Sequence, residues 1–280
     1  MSRFARKGIW IKHKTAGIAL SVLMLFSSAA CKTSERTELV VFAAASMTET
    51  LKELEIVYRK IKPDVKLIFN FDSSGTLKTQ IQEGAECDVF ISAGQKQVNQ
   101  LDASKNEEDG NTEKLDFVLK DSRTDLLENK VVLCVPEENP KGIDCFDSWA
   151  EQMKNGDILF CMGNSDVPVG QYTQQIFEYY GLDEKTLAET GVITYGTNVK
   201  EVTTQIAESS VDAGIVYRTD ALSANLKTVE CAVDGMCDRI IYPACAIHTG
   251  KHPNEATEFL AFLQSDTARR VFAKAGFDIP

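Results

Sequence analysis

The sequence lacks the residue spacings that usually hold a metal ion. It contains no C-x-x-C pair, and its three histidines, His13, His248 and His252, form no cluster. No internal repeat or low-complexity segment is present. We therefore expect no directly bound metal cation and no cofactor.

Positive charge is scarce once the first thirty residues are set aside. Those residues contain five basic side chains and no acidic one, so their removal changes the formal net charge from −11 to −16. A chain this acidic does not offer the basic face that nucleic acids require. It also repels anions at long range, so an anionic ligand would have to be held by local dipoles.

The N-terminal segment resembles an export signal. Residues 16–30 are apolar, follow the basic positions and are too few to span a membrane comfortably. They run into Ser28-Ala29-Ala30-Cys31, which resembles the processing site of bacterial lipoproteins. We predict a signal peptide over 1–30, a lipid on Cys31 and a tether over 31–37, which places the protein outside the cytoplasm and on the membrane. Cleavage at the same place without lipidation is the alternative, and it would leave a periplasmic protein.

Seven cysteines follow the predicted lipidation site, and an exported chain permits disulfides among them. They are Cys87, Cys134, Cys145, Cys161, Cys231, Cys237 and Cys245. Because seven is an odd number, at least one thiol stays free. Cys231 and Cys237 flank the turn signal Asp234-Gly235 and could face each other across a hairpin. Buried free thiols are the expected state of the others.

Apolar strands alternate with amphipathic helices through the rest of the chain. Strands are predicted at 39–42, 65–69, 88–91, 131–135, 158–162, 192–195, 213–217 and 240–247. This alternation predicts doubly wound α/β sheets with mostly parallel strands, in which ligands bind at the carboxyl ends of the strands.

Four predicted strands end in small or polar residues that lead into a helix. These junctions are Ala45-Ser46, Ser73-Ser74-Gly75, Pro168-Val169-Gly170 and Asn198-Val199. A helix N-terminus leaves backbone N–H groups without partners and therefore suits an anion. Ser46 is the expected N-cap of a helix over 48–61. Because two junctions fall in each half of the chain, we expect two lobes that face one cleft.

Five ordered segments carry a family resemblance. They are Val41-Phe42-Ala43-Ala44-Ala45-Ser46, Ser73-Ser74-Gly75-Thr76-Leu77, the stretch 80–93, Val167-Pro168-Val169-Gly170-Gln171-Tyr172, and Gly214-Ile215-Val216-Tyr217 with Asp220-Ala221. Together they resemble the substrate-binding protein of molybdate ABC transporters, from about Glu38 to Pro280.

The resemblance implies an α/β fold of the periplasmic-binding-protein-like type II, with two doubly wound lobes joined by a two-crossing hinge. Lobe 1 is expected to hold 38–121 and 244–280, and lobe 2 is expected to hold 122–243. The implied protein is a monomer that captures molybdate or tungstate between the lobes. It would deliver the oxyanion to a membrane-embedded ABC permease and catalyse no reaction.

The resemblance also assigns the donors that hold the oxyanion. These are the hydroxyl or backbone groups of Ser46 and Ser74, the backbone N–H groups of Val169 and Val199, and the hydroxyl of Tyr217. Ser73 is the fallback for Ser74. Val169 stands where the family commonly has Ala, but its backbone donor does not depend on the side chain. Asp72 is expected to point away, because a carboxylate would repel the ligand.

Neutral donors suit this ligand chemically. Molybdate is a tetrahedral dianion with no proton to donate at neutral pH, so it needs hydroxyl and N–H donors only. Four helix N-termini, each with roughly half a positive charge, would supply on the order of two charges. The three alanines at 43–45 would let the backbone approach the anion closely. Selection against the smaller sulfate ion would depend on cavity size.

Three other interpretations stay open. The same fold could bind sulfate, thiosulfate or a small organic acid, although an organic acid usually calls for an Arg fork and none lies in the matched segments. An exported hydrolase could use Ser46, although the Gly-x-Ser-x-Gly frame is absent and neither His248 nor His252 lies near a predicted strand end. The third alternative is an interaction or sensor protein that closes on no oxyanion.

Overall fold

The computed structural model describes residues 36–280. The predicted signal peptide, the lipidation site Cys31 and the tether up to residue 35 lie outside the described residues. Thr37 already belongs to the first strand, so the predicted tether extends one residue too far. Within 36–280, no helix is both long enough and apolar enough to cross a membrane.

The described residues form ten strands and ten α-helices. The strands are β1 (Thr37–Ala44), β2 (Val65–Asp72), β3 (Val89–Ile91), β4 (Thr124–Asn129), β5 (Val131–Val135), β6 (Phe160–Gly163), β7 (Ile193–Gly196), β8 (Ala213–Tyr217), β9 (Lys227–Cys231) and β10 (Ile240–Ala246). The helices are α1 (Thr48–Ile61), α2 (Ser74–Gln82), α3 (Gln95–Asn99), α4 (Phe146–Asn155), α5 (Pro168–Tyr180), α6 (Glu184–Glu189), α7 (Val199–Ala207), α8 (Arg218–Ser223), α9 (Pro253–Leu263) and α10 (Asp266–Lys274).

The strands build two five-stranded mixed sheets. The first has the order β2-β1-β3-β10-β4, and the second has the order β7-β6-β8-β5-β9. We call the first sheet with α1–α3, α9 and α10 the first lobe, and the second sheet with α4–α8 the second lobe. In the first sheet β10 pairs antiparallel with both its neighbours, and in the second sheet β5 does so. Four of the five strands in each sheet run in one direction, but two of the four pairings in each sheet are antiparallel, so the sheets are mixed and not mostly parallel as predicted.

Each reversed strand follows directly after the chain has crossed between the lobes. The first crossing is the single residue Lys130, between β4 and β5, and the second is the segment 232–239, between β9 and β10. The predicted boundaries assigned 122–243 to lobe 2. Instead, β4 and the first four residues of β10 pair within the first sheet, so both crossings lie inside the predicted lobe 2.

Side-chain burial explains why these segments pack as they do. Helix α1 buries Leu51, Leu54 and Tyr58 along one face, at the spacing of an amphipathic helix. In the second lobe, Trp149 of α4 packs edge-on or tilted against aromatic rings of α5 and β6, with ring centroids 5.2–6.0 Å apart. These cores hold the strand ends rigidly at the cleft.

The seven cysteines in the described part of the chain are free thiols. Cys87, Cys134, Cys161 and Cys245 are buried, as predicted for the unpaired ones. Cys231 and Cys237 flank a turn in which the N–H of Met236 donates to the carbonyl of Val233, but they are not bonded to each other.

Candidate functional site

A small cavity lies between the two lobes at the ends of the strands. The first lobe contributes Ala44, Ala45, Ser46, Asp72, Ser73, Ser74 and Ala93, and the second contributes Val167, Pro168, Val199 and Tyr217. The space for the centre of a water-sized sphere is about 10 Å³, enough for roughly one water molecule. The lobes are therefore closed on each other at this point.

Four of the five predicted donor residues line this cavity. Ser46, Ser74, Val199 and Tyr217 are among its lining residues. Val169 does not line the cavity. It is fully buried and directly follows Val167 and Pro168, which do line the cavity. The sequence prediction therefore brought together residues that are as far as 171 positions apart, from 46 to 217.

Helix starts supply backbone donors at this cavity. Ser74 and Val199 are the first residues of α2 and α7, so their N–H groups have no partner within the helix. The side chains that cap these helices accept hydrogen bonds from later residues. Ser73 accepts from the N–H of Thr76, and Asn198 accepts from the N–H groups of the two residues after Val199. Helix α5 has no side-chain cap. The first N–H groups of these helices therefore stay available to a ligand.

The hydroxyl proton of Ser74 is available to a ligand in the cavity. The backbone N–H of Ala93 donates to Ser74 Oγ over 2.9 Å. Because that oxygen already accepts a hydrogen bond, its own proton is free to be donated. Ser73, the predicted fallback, instead caps α2 and bonds the hydroxyl of Thr76.

Ser46 does not cap a helix as predicted. A single turn of 3₁₀-helix, Ala45–Met47, precedes α1, whose N-cap position is Met47 with no side-chain hydrogen bond. The Ser46 hydroxyl lies instead 3.0 Å from the hydroxyl of Tyr242 on β10. The prediction failed because a partner from the far end of the chain competes for this side chain.

The hydroxyl of Tyr242 bonds Asn129 as well as Ser46. The N–H of Lys130 donates to Asn129 Oδ1, which identifies Nδ2 of Asn129 as the amide donor. That nitrogen donates to the hydroxyls of Tyr242, over 3.2 Å, and of Thr219, over 2.9 Å. Tyr242 thus accepts from Asn129 and shares its second hydrogen bond with Ser46, in which either hydroxyl can be the donor.

Tyr217 reaches across the cleft. Its hydroxyl donates to the carbonyl of Ala93 over 3.3 Å, which joins the second lobe to the first. Complete burial raises the pKa of Tyr217 well above its ordinary value, as does its proximity to Tyr242. The group is therefore protonated throughout the physiological range and serves as a donor.

Asp72 lies at the cavity rather than clear of it. It is one of the lining residues, and its Oδ1 accepts the N–H of Ser73 over 2.7 Å. That Asp72 points away from the ligand stays a prediction, because a place in the lining does not determine where its carboxylate points. The backbone N–H partly offsets the charge of the carboxylate oxygen that it bonds.

Three residues that support the site were missed in the sequence. Tyr242 and Asn129 orient Ser46, and Ala93 contacts both Ser74 and Tyr217. Ala93 carried a usable signal, because it follows the end of the predicted strand 88–91. Tyr242 and Asn129 carried none, since each acts through contacts that are distant in the chain.

Comparison with known proteins agrees with this architecture. Residues 39–278 match the family described as bacterial extracellular solute-binding proteins. The chain belongs to this family. This solute-binding protein is 34% identical to YvgL of Bacillus subtilis (strain 168), described as an ABC transporter substrate-binding lipoprotein, over 87% of each chain. It is 29% identical to the molybdate-binding protein ModA of Haemophilus influenzae, over 92% of this chain and 96% of that one.

A solved structure shows the fold of the solute-binding protein. The periplasmic molybdate-binding protein of Azotobacter vinelandii superposes with a TM-score of 0.71 at 22% identity, over 86% of this chain and 99% of that one. The fold is thus the two-lobed α/β periplasmic-binding type II that the sequence predicted.

Proposed function

We propose that this solute-binding protein captures molybdate, or the similar tungstate, between its lobes and delivers it to an ABC transporter permease. The observation that carries the proposal is the interlobe cavity, at which hydroxyl donors from Ser46, Ser74 and Tyr217 meet the free N-termini of helices. A dianion without protons is the ligand that such a set of neutral donors suits best. The ModA relative supports the choice of molybdate.

The five proposed ligand contacts are Ser46, Ser74, Val169, Val199 and Tyr217. The hydroxyl of Tyr217 would exchange its carbonyl partner, Ala93, for an oxygen of the ligand. The cavity would have to widen by small side-chain or lobe movements, since it now has room for about one water molecule. Both changes are small because the donors already lie at one place.

We further propose that the protein acts by binding and not by catalysis. Ser46 bonds Tyr242, and neither His248 nor His252, the histidines within 36–280, lines the cavity to act as the general base that a nucleophile needs. We also propose that Cys31 carries a lipid and that the protein is a monomer. The lipoprotein description of the Bacillus relative supports the anchor.

Titration calorimetry on the protein from Lys32 onward tests the ligand assignment. We expect tight binding of molybdate and tungstate and much weaker binding of sulfate. Equal affinity for sulfate would overturn the assignment in favour of a general oxyanion carrier, and no binding of any oxyanion would overturn the function itself.

The neighbouring serines provide a matched pair for the site. Ser74→Ala removes a hydrogen bond to a charged ligand, worth about 1.5–3 kcal/mol, so molybdate affinity is expected to fall roughly 10- to 100-fold. Ser73→Ala removes a helix cap and should cost about 1 kcal/mol of unfolding free energy with little loss of affinity. A larger affinity loss in Ser73→Ala than in Ser74→Ala would exchange their assigned roles.

A further inference from the structure

A buried carboxylate lies beside the proposed site. Asp220, at the start of α8, is completely buried, and neither of its oxygens has a well-directed hydrogen bond among the described residues. It is three positions from Tyr217, and its charge acts on both Tyr217 and Tyr242. An uncompensated buried charge is strongly unfavourable. A carboxylate here would also repel a dianion in the cavity.

One lysine compensates this carboxylate. Lys200 follows Val199 in the first turn of α7, and its Nζ lies 3.1 Å from Asp220 Oδ1. Burial alone would lower the pKa of Lys200, but the nearby carboxylates raise it above its ordinary value, so the side chain is charged. Its side chain is 30% exposed, against 0% for Asp220. The positive charge therefore lies between the buried acid and the solvent.

The same ammonium group also reaches the other lobe. Lys200 Nζ donates to Glu49 Oε2 on α1 over 2.8 Å, so a second-lobe lysine binds a first-lobe carboxylate. Both charged residues are close in the chain to proposed donors: Glu49 lies three positions after Ser46, and Lys200 lies one position after Val199. The three charged groups thus form a chain across the cleft, from Asp220 through Lys200 to Glu49.

We propose that Lys200 is a positioning residue of the oxyanion site: it neutralises Asp220 next to the bound dianion and joins the lobes through Glu49 when they are closed. The inference rests on the proposed function for the identity of the anion. Lys200 itself need not touch the ligand. It removes a repulsion that the neutral donors could not overcome alone, and it adds an interlobe contact that only the closed form can make.

Substitutions at the two partners test this role through rescue. Lys200→Met should weaken molybdate binding at least tenfold at pH 9, where Asp220 is ionised with no cation beside it, and by less at pH 7.5, because loss of Lys200 raises the pKa of Asp220 further and favours its neutral form. Adding Asp220→Asn to Lys200→Met removes that charge and should restore the affinity to within about threefold of the unsubstituted protein. Lys200→Arg, which keeps the charge, should bind nearly normally.

Two further variants complete the set. Lys185→Met removes an exposed lysine of the same lobe, paired only with Glu189 on its own helix, and controls for net charge. Its affinity should be unchanged. Glu49→Ala leaves Asp220 neutralised but removes the interlobe contact with Lys200, so it should mainly accelerate ligand release. Calorimetry gives the affinities, and stopped-flow tryptophan fluorescence gives the release rates.

The outcomes separate this inference from the proposed function. If the unsubstituted protein binds no oxyanion, the proposed function fails, and the inference about ligand binding fails with it. If it binds molybdate and Lys200→Met binds equally well, only the role of Lys200 is refuted. A purely structural role would lower the unfolding midpoint of Lys200→Met while the folded fraction kept its affinity, and it would likewise refute the proposal. The proposal would also be refuted if the double variant folded and Asp220→Asn failed to restore the molybdate affinity that Lys200→Met had lost.

Discussion

Replacing Gly75 with alanine would test lobe closure directly. Gly75 lies in the first turn of α2 in the first lobe, and an added Cβ would lie 2.2 Å from the carbonyl oxygen of Asp166 in the second lobe. The backbone at Gly75 does not have a positive φ, so alanine fits the helix itself. The obstruction therefore exists only when the two lobes are together.

The size of the effect follows from the distances. An ordinary carbon–oxygen contact is roughly 3.3 Å, so the backbones must separate by about 1 Å at this point. Overpacking of this kind costs about 1–3 kcal/mol, and 1.4 kcal/mol corresponds to tenfold in affinity. We expect molybdate affinity to fall by roughly 10- to 100-fold.

The stability of the ligand-free protein should not fall together with the molybdate affinity. Alanine is favoured over glycine in a helix by up to about 1 kcal/mol, so the unfolding midpoint without ligand should be unchanged or slightly higher. Calorimetry and thermal unfolding measure the two quantities, and Thr79→Ala, at an exposed position of the same helix, is the control. If Gly75→Ala binds molybdate as tightly as the control, the closed geometry at Asp166 is not the binding geometry and the reasoning fails.

Two further predictions follow from buried polar groups. Tyr242→Phe removes the hydrogen-bond partner of Ser46 and an acceptor of Asn129, so it should cost about 1–2 kcal/mol of unfolding free energy and weaken molybdate binding several-fold; unchanged affinity would refute the orienting role of Tyr242. Burial raises the pKa of Asp220 from 3.8 to about 6, although Lys200 opposes the shift. The folded state therefore binds the proton more tightly, and this group makes the protein less stable as pH rises from about 4 to about 6. In urea unfolding, Asp220→Asn should gain on the order of 3 kcal/mol relative to the unsubstituted protein between pH 4 and pH 7, and a constant difference would refute the shift.

The central strands could be predicted from the sequence because burial on both faces requires apolar runs. All eight predicted strands exist, and they occupy the interior and two outer positions of the sheets. Strands β4 and β9 were missed. Both lie at a sheet edge, and their sequences, Thr-Asp-Leu-Leu-Glu-Asn and Lys-Thr-Val-Glu-Cys, carry charges that an edge strand tolerates. Without β4, the first crossing was placed too early.

The site could be predicted only in part, because local sequence features place some of its residues and contacts distant in the chain place the others. Strand ends and helix starts are local features, so Ser74, Val199 and the residues before Val169 could be placed at one cleft. The orientation of Ser46 depends on Tyr242, which is 196 positions away, and on Asn129 behind it. No local pattern encodes those contacts. The same holds for the chain of charges from Asp220 through Lys200 to Glu49, which is formed by three helices that meet only in the folded protein.

The hydrogen-bond directions at the cavity bear on which oxyanions it admits. Ser74 Oγ accepts the N–H of Ala93, so its own proton is free for an oxygen of the ligand. Two acceptors belong to the lining residues: the carboxylate of Asp72, whose Oδ1 receives the N–H of Ser73, and the carbonyl of Ala93, which Tyr217 would release on binding the ligand. A partly protonated ion such as hydrogen phosphate would need a free acceptor for its own proton, whereas a fully deprotonated dianion needs none. Discrimination by proton content therefore depends on whether the Asp72 carboxylate and the freed Ala93 carbonyl reach the ligand, and discrimination between deprotonated dianions depends on how far the lobes can close.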